Sequence, residues 1–315
     1  KGEQTILFLN RRGYAGFISC RSCGHVMKCP HCDVSLSEHR NGMLTCHYCG
    51  YQERKPSKCP SCGSPYLMGF KAGTEQVEEA IHREFPGARV LRMDADTTRR
   101  KDSYERILSA FADEEADILV GTQMIVKGHD FPRVTLVGVL AADLSLNRND
   151  YRAGERTFQL LTQAAGRAGR GEQPGEVVVQ TYQPEHYSVV YAAKQDYEGF
   201  YGEEIAYREL VGYPPVEHML AVLIVSRVQE EGELLGKEMT DLVKRGMADV
   251  AGLRVIGPAQ ATIGKISDLY RHSFYVRHGT YQTLVEAKDR LERFCREREL
   301  RGQTVQFDFD PMNTF

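Results

Sequence analysis

The sequence has no apolar run long enough to cross a membrane. Its longest, such as Val134–Ala142, falls far short of the roughly 20 residues a spanning helix needs. No targeting peptide is legible either, so a reducing cytoplasm is the expected location, with thiols kept as metal ligands. Charge of one sign is missing too: 40 Lys+Arg stand against 43 Asp+Glu, a net charge of −3. Composition therefore carries no global nucleic-acid signal, and a basic surface would have to be local. No internal repeat or low-complexity tract is evident. What remains is an ordinary globular composition, 42% hydrophobic and 26% charged over 315 residues. That length suggests two or three domains.

Cysteine is abundant and unevenly placed. Eight of the nine cysteines form four Cys-x-x-Cys pairs between Cys20 and Cys62, and Cys295 stands alone. A Cys-x-x-Cys turn aims two sulfurs at one point, so two turns complete a tetrahedral zinc shell and four turns read as two sites. A disulfide framework fits a small secreted domain better than this chain, and clustered copies are not how thioredoxin-like motifs occur. Arg21, Lys28, Arg40, Arg54, Lys55 and Lys58 make the segment basic, against Asp33, Glu38 and Glu53. Two zinc–tetrathiolate centres would reverse that excess.

The chain opens on an apolar strand near Ile6–Leu9 and reads as the middle of something larger. Beyond the cysteines, strands are expected at Arg89–Met93, Asp117–Val120, Val134–Leu140 and Glu176–Thr181. Helices alternate with them at Glu75–Glu84, Asp102–Ala112 and Glu155–Ala168. This is the pattern of a parallel α/β sheet, whose ligands usually sit off the carboxyl ends of the strands. A helical stretch over 184–216 ends at Pro214-Pro215. The last hundred residues read β-α-β-β-α-β, a ferredoxin-like α+β domain. The expected division is 1–19 with 68–183, 20–67, 184–216 and 217–315.

Two segments are too particular for generic loops: Gly121–Pro132 (GTQMIVKGHDFP) and Gln163–Arg170 (QAAGRAGR). In the second, arginines alternate with glycines, and i, i+3 spacing aims Arg167 and Arg170 to one side. Two guanidiniums there suit a polyanion and the charge of phosphoryl transfer. Together with Ile6–Gly13, these segments resemble motifs IV, V and VI in the second RecA-like lobe of superfamily 2 helicases. The paired cysteines after Phe-Leu-Asn-Arg-Arg-Gly-Tyr narrow the resemblance to the replication-restart helicase family of primosomal protein N′. Phe70–Gly73, Asp96–Lys101 and the closing Phe309-Asp310-Pro311 are also similar to it.

The resemblance implies the carboxyl-terminal half of an ATP-driven 3′→5′ DNA helicase acting at stalled or branched forks. The sequence holds no Gly-x-x-x-x-Gly-Lys-Ser/Thr loop and no Asp-Glu-x-His-like motif. ATP and Mg²⁺ would thus be gripped mainly by another lobe, and this chain alone would hydrolyse no ATP. On matching positions, Arg167 and Arg170 would meet the γ-phosphate, with Arg170 as arginine finger. Gly128, Asp130 and Gln163 would face the nucleotide. Thr122, Gln123, Arg11 and Arg12, with Asn10, would contact DNA or couple it to the ATP site. The family's nested pairing assigns Cys29, Cys32, Cys46 and Cys49 to one zinc, and Cys20, Cys23, Cys59 and Cys62 to the other. His25, His31, His39 and His47 are then surface or supporting groups. Lys265 and Arg271, among Tyr270, His272, Phe274 and Arg277, suit single-stranded DNA by stacking and phosphate contact. Expected partners are branched and single-stranded DNA, single-strand-binding protein, other primosome proteins and the machinery that loads the replicative helicase. The competing reading is a non-enzymatic zinc-ribbon module that only binds nucleic acid or protein.

Overall fold

The computed structural model describes residues 2–9, 18–38, 42–46, 48–69, 73–94, 97–98, 102–125, 130–146, 150–171 and 173–313. In chain order the first elements are β1 (Gln4–Leu9), β2 (Ile18–Cys20), β3 (Ser37–Glu38), β4 (Met43–Thr45), β5 (Gln52–Arg54) and β6 (Leu67–Gly69). Next come α1 (Thr74–Glu84), β7 (Val90–Met93), α2 (Ser103–Ala112), β8 (Ile118–Gly121), β9 (Val134–Leu140), α3 (Asp143–Leu146), α4 (Ala153–Ala165) and β10 (Glu176–Val179). The chain finishes with α5 (Tyr187–Lys194), α6 (Tyr197–Val211), β11 (His218–Ser226), α7 (Gln229–Gly246), β12 (Arg254–Ile266), β13 (Leu269–His278), α8 (Tyr281–Glu297) and β14 (Gln303–Phe309). They fall into two compact units, one of Lys1–Gly16, Phe70–Arg148 and Arg152–Glu204, the other of Phe17–Gly69, Asn149–Tyr151 and Ile205–Phe315.

The first unit is a five-stranded sheet in the order β10-β9-β1-β8-β7, with every neighbour parallel. Its strands are nearly continuous apolar runs because both faces are covered. Ile6, Phe8, Leu119, Val137 and Val139 are buried with Leu108 and Phe111 of α2 and Phe158, Leu161 and Ala164 of α4. Phe111 lies edge-on to Phe131 at 4.9 Å between ring centres, and truncating so buried a ring costs about 3–5 kcal/mol. The buried Gln4 amide is satisfied by the carbonyls of Phe111 (2.7 Å) and Ala116 (2.9 Å). Phe8 and Met93 both pair with Gly121, and Leu9 pairs with Leu140, so four strands end flush at one edge.

In the second unit, β11-α7-β12-β13-α8-β14 forms an antiparallel sheet in the order β12-β13-β11-β14. This is the expected α+β arrangement. Leu220, Val222 and Ile224 alternate onto the face that buries Leu235, Met239 and Val243 of α7 and Leu284, Ala287 and Leu291 of α8. Cys295 packs partly onto this core. The β12–β13 hairpin is long, and Ile266 pairs with Leu269, leaving Ser267 and Asp268 as a two-residue turn. Both turn residues have positive φ (51° and 60°), as such turns demand, in positions usually given to Asn-Gly.

The cysteine segment belongs to the same unit. It is a small core of Ile18, Leu36, Leu44 and Leu67 among buried cysteines, with a β3-β4-β5 sheet and a β2-β6 pair that sets Cys20 opposite Leu67. So small a core needs a metal or a crosslink to hold it.

Candidate metal centres and arginine cluster

The cysteines converge in two quartets, Cys20, Cys23, Cys59 and Cys62, and Cys29, Cys32, Cys46 and Cys49. This is the nested pairing. Within each quartet all ligand atoms lie within 4.8 Å of one another. The Sγ–Sγ separations are 3.6 Å for Cys20–Cys62, 3.7 Å for Cys23–Cys59 and 3.6 Å for Cys29–Cys49. A tetrahedron with Zn–S bonds of about 2.3 Å has edges of about 3.8 Å, so the donor sets fit zinc.

The electrostatics ask for a cation as well. Burial opposes the Cys20 thiolate, but the amides of Cys23 and Ser22 outweigh it and bring that thiol down to about 6. Burial, reinforced by the neighbouring sulfurs of Cys49 and Cys46, pushes Cys32 up to about 12. The Ser64 amide favours the Cys62 thiolate, yet the thiols around it carry Cys62 up to about 12. Crowded sulfurs cannot all ionise together without a positive charge between them, and a dication removes that conflict.

Elsewhere in this unit, the supposed nucleic-acid group of β12 and β13 is engaged internally. Lys265 Nζ donates to the Pro30 carbonyl (3.3 Å), pairs with Asp268 (3.0 Å) and lies over the Tyr270 ring. Arg271 Nη1 donates to the Ile263 carbonyl at 3.1 Å. His272 and Phe274 are buried, and Arg277 bonds the carbonyls of Val211 and Gly212 while lying over Tyr213. Along β13, alternation sends Arg271 and Arg277 to one face and Tyr270, His272 and Phe274 to the other.

In the first unit, α4 ends at Ala165, three residues short of the expected end, and Gly169 adopts φ +70°. Arg167 and Arg170 therefore do not share a helix face. Glycines bring them together instead. A Cβ on Gly169 would lie 2.5 Å from the Gly175 nitrogen, and one on Gly171 would lie 2.2 Å from the Pro132 oxygen. Only bare backbone can approach so closely. The Gly169 N–H bonds the Val134 carbonyl at 3.0 Å, which seats the loop at the amino end of β9. Arg170 is then held at both ends of its guanidinium, with Nε on the Gly166 carbonyl (2.6 Å) and Nη1 on Asp130 Oδ1 (2.8 Å). Burial, and then the charge of Arg170, lowers the pKa of the half-buried Arg167.

Thr122 and Gln123 lie at the other edge, just past the carboxyl end of β8. The Thr122 N–H reaches the Met93 carbonyl at 3.3 Å, and a Cβ on Gly121 would clash with that same oxygen at 2.4 Å. The Gly121–Pro132 segment thus starts at the carboxyl edge and finishes at the amino edge of the next strand. The arginine cluster sits opposite the edge at which parallel sheets usually bind ligands. Gln163 is exposed on α4, one turn before Arg167. Gly128, Arg11, Arg12, Asn10, His39 and His47 lie outside the described residues.

Three family models match along the chain: the helicase conserved C-terminal domain over 67–172, the PriA DNA helicase Cys-rich region over 29–54, and the primosomal protein N C-terminal domain over 209–312. The replication restart protein PriA of Bacillus subtilis is 45% identical over 314 residues, 99% of this chain. The chain belongs to the PriA family. The Synechocystis PriA is 42% identical over 318 residues. The chain spans 39% and 38% of the lengths of these two relatives. The C-terminal domain of the DEAD-box protein Dbp5 aligns over 62% of this chain and 71% of its own at 12% identity. Its TM-score is 0.33, too low to carry an argument. The match to the Cys-rich region and the two four-cysteine quartets together support zinc.

The residues that sequence reading passed over are Ser267 and Asp268. The structure shows them as the turn of the β12–β13 hairpin. His31, expected only at the surface or in a supporting role, meets Asp268 at 2.6 Å and lies edge-on to Tyr51. No helix among the described residues is long and apolar enough to cross a membrane.

Proposed function

We propose that this chain is the carboxyl-terminal portion of an ATP-dependent 3′→5′ DNA helicase that binds stalled or branched forks and promotes replication restart. The observation that carries this reading is the cradle of Arg170, with its guanidinium fixed between the Gly166 carbonyl and Asp130 and its neighbour Arg167 half-buried behind it. Two cations share one carboxylate there, a like-charge stress that a polyphosphate would relieve. In this reading Arg170 stabilises charge on the transferring phosphoryl group, and Arg167, Asp130, Gly128 and Gln163 shape its surroundings. ATP and Mg²⁺ would be held mainly by a second lobe.

Thr122 and Gln123, at the opposite end of the same segment, would contact DNA. Gly121–Pro132 would then connect the strand edge that holds DNA to the one that meets nucleotide. Each quartet would hold one Zn²⁺ as a closed structural site, with no role in bond breaking. Branched and single-stranded DNA, single-strand-binding protein, other primosome proteins and the loading machinery for the replicative helicase would be its partners, in the cytoplasm. In the full-length protein, Arg170→Ala should lower DNA-stimulated ATPase at least about 10³-fold, with DNA affinity within about twofold of the parent. Full ATPase in that variant would overturn the assignment.

A further inference from the structure

All four Cys-x-x-Cys turns share one backbone bond. The N–H of the first cysteine donates five residues ahead, from Cys20 to His25, Cys29 to Val34, Cys46 to Tyr51 and Cys59 to Ser64, at 2.7–2.9 Å. Three of them close with a second bond, in which the glycine after the second cysteine returns its N–H to the first cysteine's carbonyl. These bonds run from Gly24 to Cys20, Gly50 to Cys46 and Gly63 to Cys59, and the three glycines have φ of +75°, +79° and +74°. The fourth turn breaks the pattern. Asp33 stands where the glycine would be, and its N–H donates outward to the Lys265 carbonyl at 2.8 Å.

The β12–β13 turn fills the opening. The Ser267 N–H reaches Cys32 Sγ at 3.1 Å, and the Asp268 N–H donates to the His31 carbonyl at 2.8 Å. The Asp268 carboxylate meets His31 Nδ1, and Ile266 packs against the buried cysteine core. A peptide N–H aimed at a ligand sulfur favours the thiolate, and such outer partners orient a ligand and tune its metal. The left-handed conformation of both turn residues presents their two amides to the same Cys-x-x-Cys turn.

We propose that the inner quartet is a metal centre completed by the carboxyl-terminal domain, so that zinc occupancy there and docking of the 266–269 turn stabilise each other. Ser267 and Asp33 are positioning residues in this centre, acting through Cys32. The proposal rests on the reading that zinc fills both quartets. It does not depend on the helicase assignment. Loading the inner site would lock the cysteine module onto the domain that carries the hairpin, and emptying it would release the turn. The outer quartet, whose two turns both close on themselves through Gly24 and Gly63 and which has no hairpin against it among the described residues, would be indifferent.

The test uses the full chain, with zinc counted first and then withdrawn by excess chelator. Two zincs are expected per chain. Ser267→Pro removes the N–H and cannot adopt φ +51°. It should speed release of one zinc about 10–100-fold, the usual range for losing an outer partner, and leave the other within about twofold. Ser267→Gly keeps the donor and eases the turn, and should match the parent within about twofold. If Ser267→Pro does not fold, Asp268→Asn, which removes the carboxylate charge and tolerates φ +60°, should still speed release of the same single zinc at least about threefold. Parent-like release of both zincs from the folded turn variants would overturn the proposal. Fewer than two zincs in the parent would overturn the zinc reading itself.

Discussion

The two cysteine quartets use the same ligands at similar spacings, yet they are built differently. In the outer one, Cys23 and Cys62 are exposed, and both turns close on themselves through Gly24 and Gly63. In the inner one, Cys29, Cys32 and Cys46 are buried, Cys49 is half-buried, and one turn hands its amide to Lys265, more than 200 residues later in the chain. The outer site is a local device, made within one short segment. The inner site also carries long-range information, because its outer coordination environment arrives only when the carboxyl-terminal domain has folded. Equal ligand sets can thus do unequal structural work, and the difference lies in where the second layer of hydrogen bonds comes from.

The largest expected effect separates the sites by removing a ligand from each. Cys46→Ser and Cys62→Ser should each lose one zinc by metal analysis and cost at least about 4 kcal/mol in stability, the scale of a lost metal. Only Cys46→Ser should also loosen the 265–269 turn, whereas Cys62→Ser should loosen the β2–β6 pair beside Cys20. Acid should rank the sites next. With Cys32 and Cys62 pushed to about 12, zinc binding must expel protons, so affinity rises with pH and falls as pH drops. Titration from pH 8 to pH 5 should weaken zinc on the order of tenfold or more per unit. The exposed outer site should empty first.

A smaller effect is expected at Ile266, which packs against the cysteine core only by way of the hairpin. Ile266→Ala should cost about 1–2 kcal/mol in chemical denaturation, less than a fully buried truncation, and should quicken release from the inner site alone. The smallest concerns His272, buried beside Gly232. Burial holds its imidazole below the ordinary range, against the pull of Glu233. The unfolded chain then takes up the proton first, near pH 6.5. This contribution is therefore full above that pH and is lost as pH falls through the folded value, by at most about 1.4 kcal/mol per unit. His272→Gln should flatten the slope of stability between pH 7 and pH 5.

What could be read from sequence divides along the same line. Cysteine spacing, the alternation of apolar strands with amphipathic helices, and the βαββαβ order are local signals, and β9 has the bounds expected of it, Val134–Leu140. The nested pairing came from family resemblance, since spacing alone left sequential pairing open. What stayed hidden was set by contacts between distant segments. The i, i+3 spacing of Arg167 and Arg170 suggested one helix face, but the approach of Gly171 to Pro132 and of Gly169 to Gly175 places them together by another route. That same packing carries them to the amino edge of β9, which no periodicity reveals. Lys265 and Arg271 looked free to meet a polyanion because their partners, Pro30 and Ile263, are carbonyls that any residue could supply. One clue was present at the inner site: three Cys-x-x-Cys pairs are followed by glycine and the fourth by Asp33.

Amide hydrogen exchange at Ser267 and Asp268 tests the shared inner centre most directly, comparing zinc-loaded parent, Cys46→Ser and Cys62→Ser in the full chain. The expected result is strong protection of both amides in the parent and in Cys62→Ser, and loss of it in Cys46→Ser while α7 and α8 stay protected. Equal protection of the two amides in all three proteins would contradict it.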